Sequence, residues 1–200
     1  MTSPATVFLV RHGRTPLNAV GVLRGRIDTP LDEVGRREAL LLAAVFDGVS
    51  LAGVVSSPLT RAVDTAGPIA AARGLAVDVD DDLVDRDYGR WAGTSHADAL
   101  AAFGSLDALP GIEPPDSFVQ RVTGAVVRAA DRAASSPIVV VAHDAVNRQV
   151  LASLVPSLGP PPGIPQRTGC WNELQRDGDQ WSARVVDAVP SDGRRPRPRG

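Results

Sequence analysis

Two short apolar runs in this chain end in histidine. The run VFLV leads into Arg11, His12 and Gly13, and the run IVVVA leads into His143. A third run, VVSS, turns at Pro58 and brings Arg61 a few residues later. If the three runs are parallel neighbours, two imidazoles and two guanidiniums converge on one rim. Guanidinium forks match phosphate oxygens, and a helix N-terminus favours the same charge. An imidazole flanked by arginines is biased toward its neutral form, because like charge disfavours the imidazolium. Its lone pair can then attack phosphorus and carry the phosphoryl group on nitrogen. The arginines and the second histidine would hold the oxygens over which the transition state spreads its charge. Cationic side chains balance that charge, so this chemistry needs no metal and no other cofactor.

The elements must deliver those residues to one place. Strand-like runs alternate with helical patterns, which predicts an α/β fold: a three-layer sandwich with a mostly parallel central sheet flanked by helices. In such sheets ligands collect beyond the carboxyl ends of the strands. Strands are expected at residues 6–11, 53–56, 75–79 and 138–142, and a pair at 171–175 and 181–186 across Asp177-Gly178. Helices are expected at 32–46, with Asp32 as cap and Val34, Leu41, Leu42 and Val45 on the apolar face, and from Ser57 as cap and Pro58 to about residue 73. A short helix fits 95–103. A long one carries Phe118, Val122, Val126, Ala129 and Ala133, with Asp116 or Ser117 as its cap, and another fits 144–155. Residues 80–93 and 156–165 read as loops. One domain spans 1–189, followed by an arginine- and proline-rich tail, 190–200, expected to be disordered.

Composition narrows the partners. With 21 basic against 23 acidic residues the net charge is −2, so no global field attracts nucleic acid or anionic lipid. No run approaches the ~18 apolar residues of a membrane span. The single cysteine, Cys170, excludes an intrachain disulfide and fits a reducing compartment. Every basic residue is arginine, which removes Schiff-base and Walker-lysine chemistry. The expected setting is cytoplasmic, with a small phosphorylated substrate, no nucleic acid and no membrane; the oligomeric state stays open.

Several motifs now add up. Leu9-Val10-Arg11-His12-Gly13-Arg14-Thr15 with Asn18, Thr29-Pro30-Leu31 with Gly35, Ser56-Ser57-Pro58-Leu59-Thr60-Arg61-Ala62 with Thr65-Ala66, Asp87-Tyr88-Gly89 with Trp91 and Gly93, and Val141-Ala142-His143 follow in order. Together they resemble the histidine phosphatase superfamily, its phosphoglycerate mutase-like branch. The resemblance implies that His12 is the phosphorylated nucleophile, that Arg11, Arg61 and His143 bind the phosphoryl oxygens, and that Asn18 helps hold the phosphate. The family's proton donor is usually a glutamate just before the YG-type motif; here that slot holds Asp85, one methylene shorter. Glycine often follows the second histidine; here it is Asp144. A distant branch, the histidine acid phosphatases, uses such an HD pair with the aspartate as donor. Asp144 therefore has two readings at this stage, a donor facing the substrate or a helix cap accepting from the N–H of Val146 or Asn147. Asp85 is taken as the acid.

The resemblance implies a phosphatase: metal-independent phosphomonoester hydrolysis of a small phosphorylated metabolite through a phosphohistidine intermediate. Mutases of the family are typically longer, with lysine contacts in an insertion, whereas the segment 93–116 here is short and lysine-free. Phosphoglycerate mutase-type transfer, and a catalytically weak relative that binds a phospho-ligand or a protein, remain alternatives. Other residues have plainer readings. Arg14 and Arg24 lie in the opening loop, where they could meet a second anionic group or stay solvated. His96 starts a helix near the rim, Arg148 is a surface or salt-bridge residue, Trp91 packs under a loop, and Asn147 and Cys170 are structural. The acidic run Asp78 to Asp87 is a solvated loop, and Arg194, Arg195, Arg197 and Arg199 belong to a frayed end.

Overall fold

The computed structural model describes residues 4–133 and 136–196. Its six strands are Ala5–Arg11 (β1), Gly53–Ser56 (β2), Val77–Val79 (β3), Ile138–Ala142 (β4), Trp171–Asp177 (β5) and Gln180–Ala188 (β6). They form one sheet in the order β3-β2-β4-β1-β5-β6. The first four are mutually parallel where they pair, and β5 and β6 add an antiparallel edge. The helices are Pro16–Ala19 (α1), Glu33–Val45 (α2), Thr60–Ala71 (α3), His96–Phe103 (α4), Pro115–Arg132 (α5) and Asp144–Leu154 (α6). The architecture is thus the expected α/β sandwich with a mixed, mostly parallel sheet.

Burial explains the continuous apolar runs. Every residue of β4 is buried, because helices cover both faces of the sheet. Val7, Leu9 and Val140 face α5 and α6, packing with Phe118, Val122, Val126 and Val150. Phe8, Val10, Val139 and Val141 face α2 and α3, packing with Leu42, Phe46, Ala66 and Ile69. Phe8 and Phe46 also meet the edges of Trp171 from β5, with ring centroids 6.0 and 6.1 Å away. In register, Arg11 lies beside Ala142, so His12 and His143 follow side by side at the carboxyl ends of neighbouring strands.

Several boundaries differ from expectation. Helix α3 begins at Thr60 with Leu59 as its cap, so Ser57 and Pro58 still belong to the strand exit. Helix α5 starts at Pro115 after Pro114, placing Asp116 inside the first turn rather than at the cap. The buried stripe of α2 is Gly35, Ala39, Leu42 and Val45. Leu41, one residue and about 100° off that stripe, is exposed. Two 3-10 turns, Asp81–Leu83 and Gly89–Trp91, interrupt the expected loop. At the tail, Pro190–Asp192 forms a further 3-10 turn. Asp192 accepts from Arg167 at 2.9 Å and Arg195 donates to the Ala44 carbonyl. Residues 197–200, with Arg197 and Arg199, lie outside the described residues. Among those described, no helix is long and apolar enough to cross a membrane.

Candidate active site

The strand ends fix the backbone of the site. The His12 N–H donates to the Ala142 carbonyl at 3.0 Å, tying the end of β1 to the end of β4. The Gly13 N–H donates to Thr65 Oγ1 at 3.0 Å, and that hydroxyl donates to the Arg61 carbonyl at 2.7 Å. The β1 loop and the first turns of α3 are therefore locked together. Two glycines permit this. A Cβ on Gly35 would lie 2.1 Å from the Arg14 carbonyl oxygen, and one on Gly13 would lie 2.5 Å from the Gly35 carbonyl oxygen.

The histidines are fully buried, with ring centroids 5.2 Å apart. His12 Nδ1 lies 2.7 Å from the Gly13 carbonyl oxygen. A carbonyl only accepts, so Nδ1 carries the ring proton and Nε2 keeps a bare lone pair. Burial, reinforced by Arg11 and Arg61, holds the His12 pKa well below its ordinary 6.5. Burial does the same to His143, with Arg61 as the next cause. Both rings are neutral at physiological pH.

Around them stand the arginines. Arg61 is fully buried and donates from Nη1 to the Ile27 carbonyl and from Nη2 to the Gly25 carbonyl, both at 2.8 Å. Its Nη2 also reaches Asp85 Oδ2 at 3.2 Å. Arg11 donates to Asp144 Oδ1 at 3.1 Å and to the Gln166 carbonyl. The sequence alone leaves the place of Arg24 open. Its guanidinium makes no hydrogen bond or ion pair among the described residues, and its charge acts on both histidines and on Asp85. The signal for it lies in its neighbours: the carbonyls of Gly25 and Ile27 are pinned to Arg61, so the residue just before Gly25 is carried to the site.

The two aspartates part ways. Asp85 is buried, accepts from the Arg86 N–H at 2.9 Å, and places Oδ2 4.0 Å from His143 Nδ1. Burial pushes its pKa up, against the pull of Arg61. Its backbone is held by Arg121, which sequence reading did not single out. That guanidinium donates to the carbonyls of Asp82, Val84 and Asp85 and forks onto Glu113 at 2.6 and 2.8 Å. Asp144 is not the cap of α6; His143 takes that position. Asp144 accepts instead from Arg11 and, with both oxygens, from Arg148 Nε at 3.1 Å, since guanidiniums are stronger partners than first-turn N–H groups. Arg148 continues to the carbonyls of Pro162 and Ile164 and so anchors the proline-rich segment.

The other singled-out residues fall as follows. Asn18 lies within α1, with its side-chain carbonyl oxygen accepting from the Thr15 N–H and hydroxyl at 2.9 and 2.8 Å. Arg14 pairs with Asp32 at 2.8 Å. Trp91 packs on Phe103, 5.0 Å between centroids, and His96 is exposed at the start of α4. Asp78, Asp80 and Asp82 form surface ion pairs with Arg132 and Arg128. Cys170 is buried, with its thiol pushed up by desolvation.

Five buried nitrogens of this group make no hydrogen bond: Arg11 Nε, Arg24 Nε, Arg61 Nε, His12 Nε2 and His143 Nδ1. Buried polar atoms are almost always paired. Here unpaired atoms gather on residues that meet at one rim.

Comparison with known proteins gives the family and the fold. The family described as the histidine phosphatase superfamily (branch 1) matches residues 7–188. The phosphoglycerate mutase-like protein 4 of Arabidopsis thaliana is 33% identical over 194 residues, 90% of this chain and 84% of that protein. A bifunctional protein of Mycobacterium tuberculosis is 45% identical over 100 residues; these are 48% of this chain but 27% of that protein, so the chain spans only about a quarter of its length. Among solved structures, mycobacterial glucosyl-3-phosphoglycerate phosphatase superposes with a TM-score of 0.81 at 26% identity, covering 93% of this chain and 100% of that one. With a family match over residues 7–188, the chain belongs to the histidine phosphatase superfamily, branch 1.

Proposed function

We propose that this protein is a metal-independent phosphatase that hydrolyses a small phosphorylated metabolite through a phosphohistidine on His12. The observation that carries the reading is the bare, buried Nε2 of a neutral His12 among unpaired guanidinium nitrogens. In the first step the Nε2 lone pair attacks phosphorus, the P–N bond forms and the ester P–O bond breaks. The Asp85 carboxyl gives its proton to the departing oxygen; its raised pKa suits a donor. In the second step water attacks, the P–N bond breaks, and the Asp85 carboxylate takes the water proton. Arg11, Arg61, His143 and Asn18 hold the phosphoryl oxygens throughout. Arg11 is paired with the Asp144 carboxylate, so with Asp85 protonated the Arg61 and Arg24 guanidiniums supply the positive charge that meets a phosphate dianion. Asp144 holds Arg11 in place and donates no proton.

The phosphatase among the structural relatives supports hydrolysis, and the mutase-like relative keeps phosphoryl transfer to a second hydroxyl as the rival. Rapid quench with a labelled phosphomonoester separates these readings. Hydrolysis traps label on His12 and passes it to water, transfer passes it to an alcohol acceptor, and a pure binder traps none. His12→Ala should abolish turnover, and chelators should leave it intact; residual full activity in His12→Ala would overturn the mechanism. Phosphate release across a metabolite panel then identifies the substrate.

A further inference from the structure

Because His143 is neutral, its ring carries one proton, and the nitrogen that holds it decides whether the face toward the ligand donates or accepts. Its Nε2 lies 2.7 Å from Ser57 Oγ. Its Nδ1, the nitrogen on the Asp85 side, makes no hydrogen bond. Ser57 is fully buried at the exit of β2, where the strand runs on instead of starting a helix. Its oxygen accepts a long hydrogen bond from the Leu59 N–H at 3.4 Å. Among the described residues, the only acceptor within reach of its single hydrogen is His143 Nε2. A buried hydroxyl hydrogen left without an acceptor carries a desolvation cost. The hydroxyl therefore donates, and Nε2 accepts.

We propose that Ser57 is a positioning residue that fixes His143 as the Nδ1–H tautomer, so that the nitrogen left free donates a hydrogen bond to an oxygen of the bound phosphoryl group. His12 and His143 then hold their protons on the same ring atom and use opposite ones. The Gly13 carbonyl takes the His12 proton and bares Nε2 for attack, whereas Ser57 occupies the His143 lone pair and leaves Nδ1–H to bind. The donor role rests on the phosphoryl-site reading given above; the tautomer does not.

The test reads the tautomer directly. Nitrogen-15 NMR of the full chain distinguishes a protonated from a bare ring nitrogen, with the His143 signals assigned by their loss in His143→Gln. The wild type should carry its His143 proton on Nδ1, and Ser57→Ala should give a mixture of tautomers. In calorimetry, inorganic phosphate should bind Ser57→Ala about 10-fold more weakly, the scale of one misdirected buried hydrogen bond. Ser57→Thr, which keeps the hydroxyl, should restore both readouts. A wild-type His143 protonated on Nε2 overturns the proposal even where Ser57→Ala does not fold. So does a Ser57→Ala protein with wild-type tautomer and phosphate affinity. No step relies on turnover, so failure to trap phosphohistidine on His12 would sink the catalytic reading and leave the tautomer result standing.

Discussion

At the residue scale, the chemistry turns on which carboxyl moves the proton. Asp85 is buried beside Arg61 and His143, whereas Asp144 spends its oxygens on Arg11 and Arg148. Asp85→Asn should therefore lower kcat by roughly 10²–10⁴-fold, the usual contribution of a general acid. Asp144→Asn loosens Arg11 and should act mainly on KM; a larger kcat loss there than in Asp85→Asn would reverse the assignment. The pH profile follows from the same two groups. His12 must be neutral, and its pKa is depressed, so kcat/KM should hold down to well below pH 6.5 once the substrate's own ionisation near 6 is allowed for. Asp85 must be protonated in the first step and its pKa is raised, so activity falls as pH rises through that value. Asp85→Asn should erase this alkaline limb while leaving the acid one, which a kcat/KM titration of both proteins checks.

At the scale of elements, the site depends on how closely α2 approaches the loop after β1. The Gly35 backbone touches the Arg14 backbone, and neither can yield as a flexible side chain would. Gly35→Ala should cost about 1–3 kcal/mol, the range for overpacking, and more if the loop cannot shift. Because the same loop carries His12, kcat should fall along with the urea midpoint; an unchanged midpoint would contradict the contact. The sequence made much of this scaffold legible. Strand ends were readable because parallel strands buried on both faces show as apolar runs, and Arg11, His12 and His143 stand at the ends of such runs. Helix starts were less readable. Ser57-Pro58 has the residue types of a cap and first turn, but Ser57 is drawn to His143, and α3 begins only at Thr60. The cap reading of Asp144 missed for the same reason, since a local signal gave way to partners distant in sequence. Arg24 and Arg121 carried no motif of their own, and only the fold brings them to the histidines and to Asp85.

At the scale of the whole molecule, a functional site inside the fold ties stability to pH. His12 and His143 are buried neutral, with pKa values well below the 6.5 expected of an unfolded chain. Below pH 6.5 the unfolded state binds protons that the folded state refuses, so stability is complete above that pH and is lost as pH falls. Each histidine contributes a slope of about 1.4 kcal/mol per pH unit within its window. Asp85 works in the opposite direction. Its raised pKa means that the folded state takes up a proton before the unfolded chain does, which stabilises the fold as pH falls through that value toward 3.8. Urea midpoints should thus decline from pH 7 toward 5, with Asp85 offsetting part of that loss wherever its carboxyl takes up its proton. Asp85→Asn removes the offset and should make the decline steeper there. Inorganic phosphate binds only the folded site and should raise every midpoint, by about 2.7 kcal/mol at one hundred times its Kd. A midpoint that stays flat between pH 7 and 5 would mean that the two imidazoles take up protons inside the fold as readily as in water, and the neutral nucleophile would be lost with them.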